Sequence, residues 1–461
     1  MKPLRALLSL VLLVVATQTV RAADLIPTPE FANHEIPQTQ NPTPRSETRE
    51  YVDVAVLAAG LALASYLALR RRSRRGLFLL AIASLVWLGF VRKGCICPIG
   101  AIQNVALALC DRTYAVPATA VAIFVLPLIF TLFFGRTFCA AVCPLGAIQE
   151  VVAVRPVKTP VWLDHALGLL AYVYLGAAVL FAGTGTALVI CRYDPFVGLL
   201  RRSAGLPMLV AGACFLVVGM FIGRPYCRYL CPYGAILGLL SRVSRWRVRI
   251  PPRECIQCRL CEDACPYGAI REPTVVPPVA QRRRGRRRLA EVLLLAPVLV
   301  VLGAILGRAM EVPLSQMHPA VQLAQRVALE DTQQVEGTTD ASDAFRSTGR
   351  PAAALYREAH QLSHRLGVAG GWFGAWVGLV LAVKFIQLAV RRRRADFEPD
   401  RARCVACGRC FWYCPSEQAR HGWIEGIAEG TQGDSPIFAA WAPSRSDGRR
   451  KSGQSPLRKD G

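Results

Sequence analysis

"RCVACGRCFWYCP", residues 403–415, sets Cys404, Cys407, Cys410 and Cys414 in one run closed by Pro415. The spacing C-x2-C-x2-C-x3-C-P wraps thiolates around a cubane iron–sulfur core, and where two cores are present the fourth cysteine of a run binds the other core. One run is therefore half of a site. The matching half is "ECIQCRLCEDACP", residues 254–266, which carries Cys255, Cys258, Cys261 and Cys265. Crossed ligation puts Cys255, Cys258, Cys261 and Cys414 on one [4Fe-4S] cluster, and Cys404, Cys407, Cys410 and Cys265 on the second. Zinc is disfavoured, because it takes closed C-x2-4-C pairs. Disulfide pairing of these eight is disfavoured by the same spacing.

The stretch between the halves, 266–403, cannot belong to a soluble fold. Of the 461 residues, 53% are hydrophobic, and mean hydropathy is +0.33. The net charge of +24 comes from arginines clumped between apolar stretches, the pattern of loops on the positive side of a membrane. Nucleic acid is excluded as a partner, since no binding motif accompanies the charge. The start, "MKPLRALLSLVLLVVATQTVRAAD", reads as a signal peptide over 1–22, with Lys2 and Arg5 ahead of a short apolar core and small residues before a cleavage point after Ala22. An uncleaved first anchor is the open alternative. Residues 23–50 then read as an extended outer segment.

Seven apolar spans follow, near 51–70, 77–93, 116–134, 162–183, 206–222, 288–308 and 370–390. Starting outside, the chain places "RRRSRR" (70–75), the arginines of 242–249, "RRRGRRR" (282–288) and "RRRR" (391–394) on the cytoplasmic side, with Arg201 and Arg202 as the main exception. The expected fold is thus mainly α: a polytopic helical protein of the bacterial cytoplasmic membrane, with a small α+β two-cluster ferredoxin domain in the cytoplasm. Its parts are a transmembrane region 51–240, a first ferredoxin half 241–280, a transmembrane hairpin 281–394 with an outer loop 309–369, a second half 395–425, and a disordered tail 426–461.

A repeat lies inside the membrane region. "GRTFCAAVCPLGAIQ" (135–149) and "GRPYCRYLCPYGAIL" (223–237) share Gly-Arg, C-x3-C-P and Gly-Ala-Ile at an offset of 88 residues (139 to 227). Related pieces stand upstream of each, "CICPIGAIQ" (95–103) and "CRYDPFVGLL" (191–200). The four stretches imply two tandem units running in the same direction, each with a Cys–Pro turn at either membrane face. C-x3-C places two thiols one helical turn apart. Cys139, Cys143, Cys227 and Cys231 are therefore candidates for an additional thiolate-bound metal or redox site; small cysteines packing between helices is the bland alternative. Cys95, Cys97 and Cys191 leave metal and disulfide both open, and Cys110 and Cys214 read as apolar fillers.

At these motifs the chain resembles the NosR/NapH family of membrane polyferredoxins, over roughly 77–270 and 400–416. The resemblance implies electron transfer between a quinol or flavin pool and a periplasmic reductase system, with a flavoprotein or periplasmic redox protein as partner. Its alternative is an accessory or regulatory role in metal-centre assembly. An electron-transfer subunit or quinol-dehydrogenase component is implied, rather than a stand-alone enzyme. NosR-type members carry an outer flavin domain with an S-G-A-T-like motif; no covalent flavin motif occurs here, and "RSTGRPA" (346–352) does not match.

Two weaker signals remain. Asp164 and His165 open the fourth span, where an ionisable pair could accept a quinol proton or simply cap a helix. His360 and His364 share a helical face, a spacing that suits a metal but also a solvated amphipathic helix.

Overall fold

The computed structural model describes residues 46–420 apart from 93–97, 112–113, 155, 202–204, 251–254, 256–257, 275–278, 391–393 and 395, together with Gly422. The expected signal peptide, nearly all of the outer segment, the tail 426–461 and the pair Cys95 and Cys97 lie outside the described residues. The chain divides into two compact units, Met1–Tyr413 and Cys414–Gly461. The second is described through one helix, Pro415–Arg420.

Among the described residues, five helices are long and apolar enough to cross a membrane: Glu47–Leu69, Arg74–Val91, Val161–Gly183, Arg283–Ala309 and Ala352–Ala389. They fall on the first, second, fourth, sixth and seventh expected spans. The third and fifth expected spans are a shorter helix and a bent pair. The third span is the 17-residue helix Ala118–Phe134, and the fifth is Leu206–Phe221, bent by 111° from Pro195–Arg201. At 1.5 Å per residue a 17-residue helix rises about 25 Å, short of the ~30 Å hydrocarbon core. Hydropathy reports an apolar run, but not where the chain turns back.

The turning back is visible in the contacts. Ser65 Oγ and Thr137 Oγ1 share a hydrogen bond of 3.0 Å near one end of Glu47–Leu69. Five residues on, Val142 reaches Gly60, midway along that helix. Pro144 lies against Gly89 in a widened π-type turn of the second span, and Glu150 returns to Arg74 at that span's other end, 3.6 Å away. Pro144–Val151 thus runs back along Arg74–Val91, so the Cys139–Cys143 turn dips into the bundle. The second copy does the same. Tyr233 donates its hydroxyl to the Phe124 carbonyl, 2.7 Å away and well inside Ala118–Phe134. Ser241, just past Pro232–Leu240, then donates to the Arg401 carbonyl at 2.7 Å. Each C-x3-C-P turn thus packs against the long helices of the bundle, and the short helix after it runs back along them.

Of the loops expected on one side, those at 70–75 and 242–249 meet. Arg72 donates to the Arg249 carbonyl at 3.2 Å, Arg75 lies over the Trp412 ring at 5.5 Å, and Arg401 donates to the Arg242 carbonyl at 3.0 Å. At the other end, Thr119 donates to Glu50 at 2.7 Å and Arg92 pairs with Asp53. The segment 309–369, expected as an outer loop, is helical, with a small core of Val321, Ala324, Val327, Phe345, Leu355 and Ala359.

The hairpin helices Val279–Ala309 and Ala352–Ala389 cross at glycines. A Cβ on Gly307 would meet the Gly370 carbonyl oxygen, and one on Gly303 that of Gly374. Small residues let the two backbones touch, the main source of helix association where lipid surrounds both. Gly307→Ala is expected to destabilise the hairpin by about 1–3 kcal/mol, read as a lower thermal midpoint in detergent. An unchanged midpoint contradicts the crossing.

Candidate iron–sulfur and thiolate sites

The two halves separated by the hairpin meet in a short antiparallel sheet. Strand β1, Ile270–Arg271, follows the first cysteine run, and β2, Glu398–Pro399, precedes the second. Ile270 pairs with Pro399 and Arg271 with Glu398. Beside the sheet, Arg271 grips Asp400 through Nε and Nη2 at 3.1 and 3.0 Å. Cys261 rides on the helical turn Leu260–Asp263 and Cys410 on Arg409–Trp412. The residue after the second cysteine of each run is left-handed, Arg259 at φ 66° and Gly408 at φ 83°. That shared kink lets each run curl its cysteines inward.

Buried cysteines of the two runs lie close together, Cys261 also neighbouring Cys410. Cys404 neighbours Cys407 and Cys265, and Cys410 neighbours Cys404, Cys407 and Cys265. Cys265 also accepts from the Ala269 N–H at 3.4 Å. Burial first, then these neighbours, push the Cys404 thiol up to about 12 and Cys410 well above its ordinary value. Sulfurs crowded and dried in this way are thiolates only when a metal core holds them, so the donor set fits a cluster. Of the other set, Cys255 is partly buried against the same core, Cys258 is exposed and Cys261 is buried. Cys414 opens the second compact unit.

The membrane cysteines also come together. Cys231 neighbours Cys227, Cys143 and Cys139. They do not lie along one helical face, as the spacing suggests: Cys139 and Cys227 sit on short helical turns, while Cys143 and Cys231, in extended backbone, cap the helices that follow. The proline after each second cysteine imposes that break, because it suits the first helical position and no interior one. Cys231 Sγ accepts from the Gly234 N–H at 3.2 Å, and Cys227 Sγ from the Gln149 side chain at 3.2 Å. Among the described residues, no three His, Cys, Asp or Glu side chains converge on a point that would hold a single metal ion.

The copies lock each other reciprocally. Arg136 of the first lies against Gly234 of the second, its Nη2 3.3 Å from where a Cβ would stand; Arg224 of the second lies against Gly146 of the first, its Nη1 3.1 Å from that point. Gln149 also accepts from the Tyr226 N–H at 3.1 Å. On the other side Gln103 accepts from the Ile190 and Cys191 N–H groups at 3.1 and 3.3 Å. Each glutamine ends a Gly-Ala-Ile-Gln stretch of the first unit and holds a cysteine turn of the second. Buried Asp194, beside Cys191, accepts from the Tyr226 hydroxyl, so turns from opposite ends of the bundle touch within it.

Glu150 was not singled out by sequence, yet it joins the two cysteine systems. It is 8% exposed and accepts from Arg224 at 3.2 Å, Arg409 at 2.8 Å and the Tyr267 hydroxyl at 2.6 Å. Burial alone would raise its carboxyl, but Arg224 and Arg409 override it and hold the group at about 2. The only sequence signal was an acid directly after the repeat.

The weaker signals resolve differently. Asp164 is tied to Arg228 at 2.6 Å, to Arg403, and to the Tyr229 hydroxyl at 3.0 Å, so it pins the ferredoxin half to the bundle. His165 faces Arg403 at 3.4 Å. His360 and His364 are exposed on Ala352–Ala389. Cys110 packs on Gly183.

A protein family described as a 4Fe-4S binding domain matches residues 116–169 and 204–251, which hold both C-x3-C-P copies. A second 4Fe-4S binding domain family matches 248–271. The putative electron transport protein YccM of Escherichia coli is 38% identical over 65 residues, 14% of this chain and 18% of its own. Protein NirI of Paracoccus denitrificans is 29% identical over 197 residues, 41% of this chain and 23% of its own. The methylamine utilization ferredoxin-type protein MauN of the same organism is 31% identical over 126 residues, 26% and 43% respectively. In each case the match spans less than half of the relative's length. No solved structure matches.

Glu150→Gln is expected to cost about 3–5 kcal/mol, since it leaves buried arginines without their partner. The folded carboxyl lies below its ordinary 4.5, so its contribution is complete above that pH and fades as pH falls toward about 2. The gap in thermal midpoint between variant and wild type should therefore narrow over that range. A gap that stays constant contradicts the assignment.

Proposed function

We propose that the chain is a NapH/NosR-like 4Fe-4S membrane protein that carries electrons between a quinol or flavin donor and a redox system on the far side of the membrane. The matched 4Fe-4S domains and the named relatives support an iron–sulfur electron transport role. The direction, the donor and a periplasmic acceptor are our reading. The observation that carries it is the continuity of the two cysteine systems through Glu150, Arg224 and Arg409.

Iron–sulfur clusters supply one-electron storage at low cost in reorganisation. The chain's residues do the rest. Cys265, Cys404, Cys407 and Cys410 hold one cluster; Cys255, Cys258 and Cys261 hold the other, with Cys414 as the crossed fourth ligand of its run. Cys139, Cys143, Cys227 and Cys231 form a third thiolate centre inside the bundle. Hydrogen bonds from Gln149 and the Gly234 N–H onto sulfur adjust its potential. The arginine-rich face, and with it the ferredoxin halves, lies in the cytoplasm. The outer helical loop offers a surface for a flavoprotein or a periplasmic partner.

Crossed ligation has a sharp test. Cys265→Ser should abolish the same EPR signal as Cys404→Ser and leave the signal lost in Cys261→Ser. Loss of the Cys261 signal instead would mean that each run binds its own cluster. For the donor, a menaquinol analogue added to anaerobic protein in detergent should reduce the clusters within seconds. Reduction by dithionite alone would place electron entry on a partner flavoprotein and remove the built-in quinol site.

A further inference from the structure

Arg136 is 9% exposed and reaches its neighbours through two donors, to the Ala402 carbonyl at 2.9 Å and toward Cys139 Sγ at 3.7 Å. Its Nε has no partner, and among the described residues no carboxylate lies within ion-pair reach. A buried guanidinium without an anion is costly, because its charge keeps neither water nor a counterion. What faces it is sulfur: Cys139, Cys231 and Cys227 on one side, and Cys404 on the other, where both residues line one small cavity. Arg224 occupies the symmetric position. It is 2% exposed, donates to the Ala140 carbonyl at 3.3 Å and to that of Cys139, and neighbours Cys227 and Cys407. Glu150 neutralises Arg224 in part. No described carboxylate does so for Arg136.

We infer that Arg136, seconded by Arg224, is the positioning charge between two anionic thiolate centres, holding the membrane centre and the Cys265/Cys404/Cys407/Cys410 cluster at raised and matched potentials. The inference rests on the proposed centre at Cys139, Cys143, Cys227 and Cys231. Four thiolates leave an iron–sulfur core with net negative charge, and each added electron deepens it. A fixed cation beside Cys139 and lining one cavity with Cys404 lowers that cost on either side of the transfer. One electron leaves one centre and arrives at the other. No proton need move, since a guanidinium stays protonated throughout.

The Gly-Arg pair that opens each repeat then has a chemical meaning. Glycine on the opposite copy clears the space, and arginine fills it with charge. A lysine would keep the charge but not the fork that spans the Ala402 carbonyl and the Cys139 sulfur.

The test uses the full chain, purified anaerobically in detergent and titrated under EPR, with the membrane centre identified by the signal lost in Cys143→Ser. In Arg136→Gln the membrane centre should become about tenfold harder to reduce, ~59 mV for a one-electron couple. The Cys404 cluster should shift the same way, and iron content should hold. Arg136→Lys should recover most of the shift. Loss of the centre in Arg136→Gln with retention in Arg136→Lys would also support the charge. Unchanged potentials at full iron content would overturn the inference, as would loss of the centre in both variants, which would make Arg136 a steric part of the fold. Wild-type protein with iron for only two clusters, and no signal lost in Cys143→Ser, would fail the underlying reading of a third centre; that failure shows in the iron count rather than the potential.

Discussion

Glu150 is the carboxylate on which the join between membrane bundle and ferredoxin halves depends. Its two oxygens receive Arg224 from the second repeat, Arg409 from the second cysteine run and the Tyr267 hydroxyl from just after the first. Three segments far apart in sequence are thereby fixed to the end of one short helix, Pro144–Val151. A single anion among several buried donors is an all-or-none device: fully satisfied it specifies one geometry, and with one partner missing it leaves buried charge behind. Asp164 and Asp400 repeat the arrangement at the rim, the first binding Arg228 and Arg403, the second Arg271.

That join explains why the ferredoxin halves tolerate a membrane hairpin between them. β1 and β2 close the sheet across the gap, while Ala402 and Arg401 are held by Arg136 and Ser241 of the bundle. Each half is anchored to the bundle as well as to its partner. The loop arginines take part too: Arg72 and Arg75 lie over the Phe411 and Trp412 rings, so the loop between the first two helices also seats the second cysteine run.

Much of this was legible in the sequence. Both cysteine runs, the hairpin and the internal repeat follow from spacing and hydropathy, since thiolate geometry and membrane thickness tolerate few alternatives. The way the Cys–Pro turns fold back along the bundle did not follow. Ala118–Phe134 is as apolar as a full span, and only its length and the contact of Val142 with Gly60 show that the chain doubles back. Arg136, Gln149 and Glu150 were likewise hidden. Each does its work across the repeat interface, and no local pattern tells a buried arginine from one in a positive loop. The repeat itself was the available clue: residues shared by both copies besides cysteine and proline, namely Gly-Arg and Gly-Ala-Ile, are the ones that meet across the pseudo-symmetry.

The central claim is that electrons pass through the membrane by way of the buried thiolate centre. The direct measurement encloses ferricyanide in proteoliposomes, adds titanium(III) citrate outside, and follows bleaching of the internal dye. The account predicts bleaching with the wild-type chain, and none above the protein-free leak with Cys143→Ser/Cys231→Ser, in which the ferredoxin clusters remain loaded. Equal rates from the two proteins would mean that the membrane cysteines carry no electrons, and would contradict it.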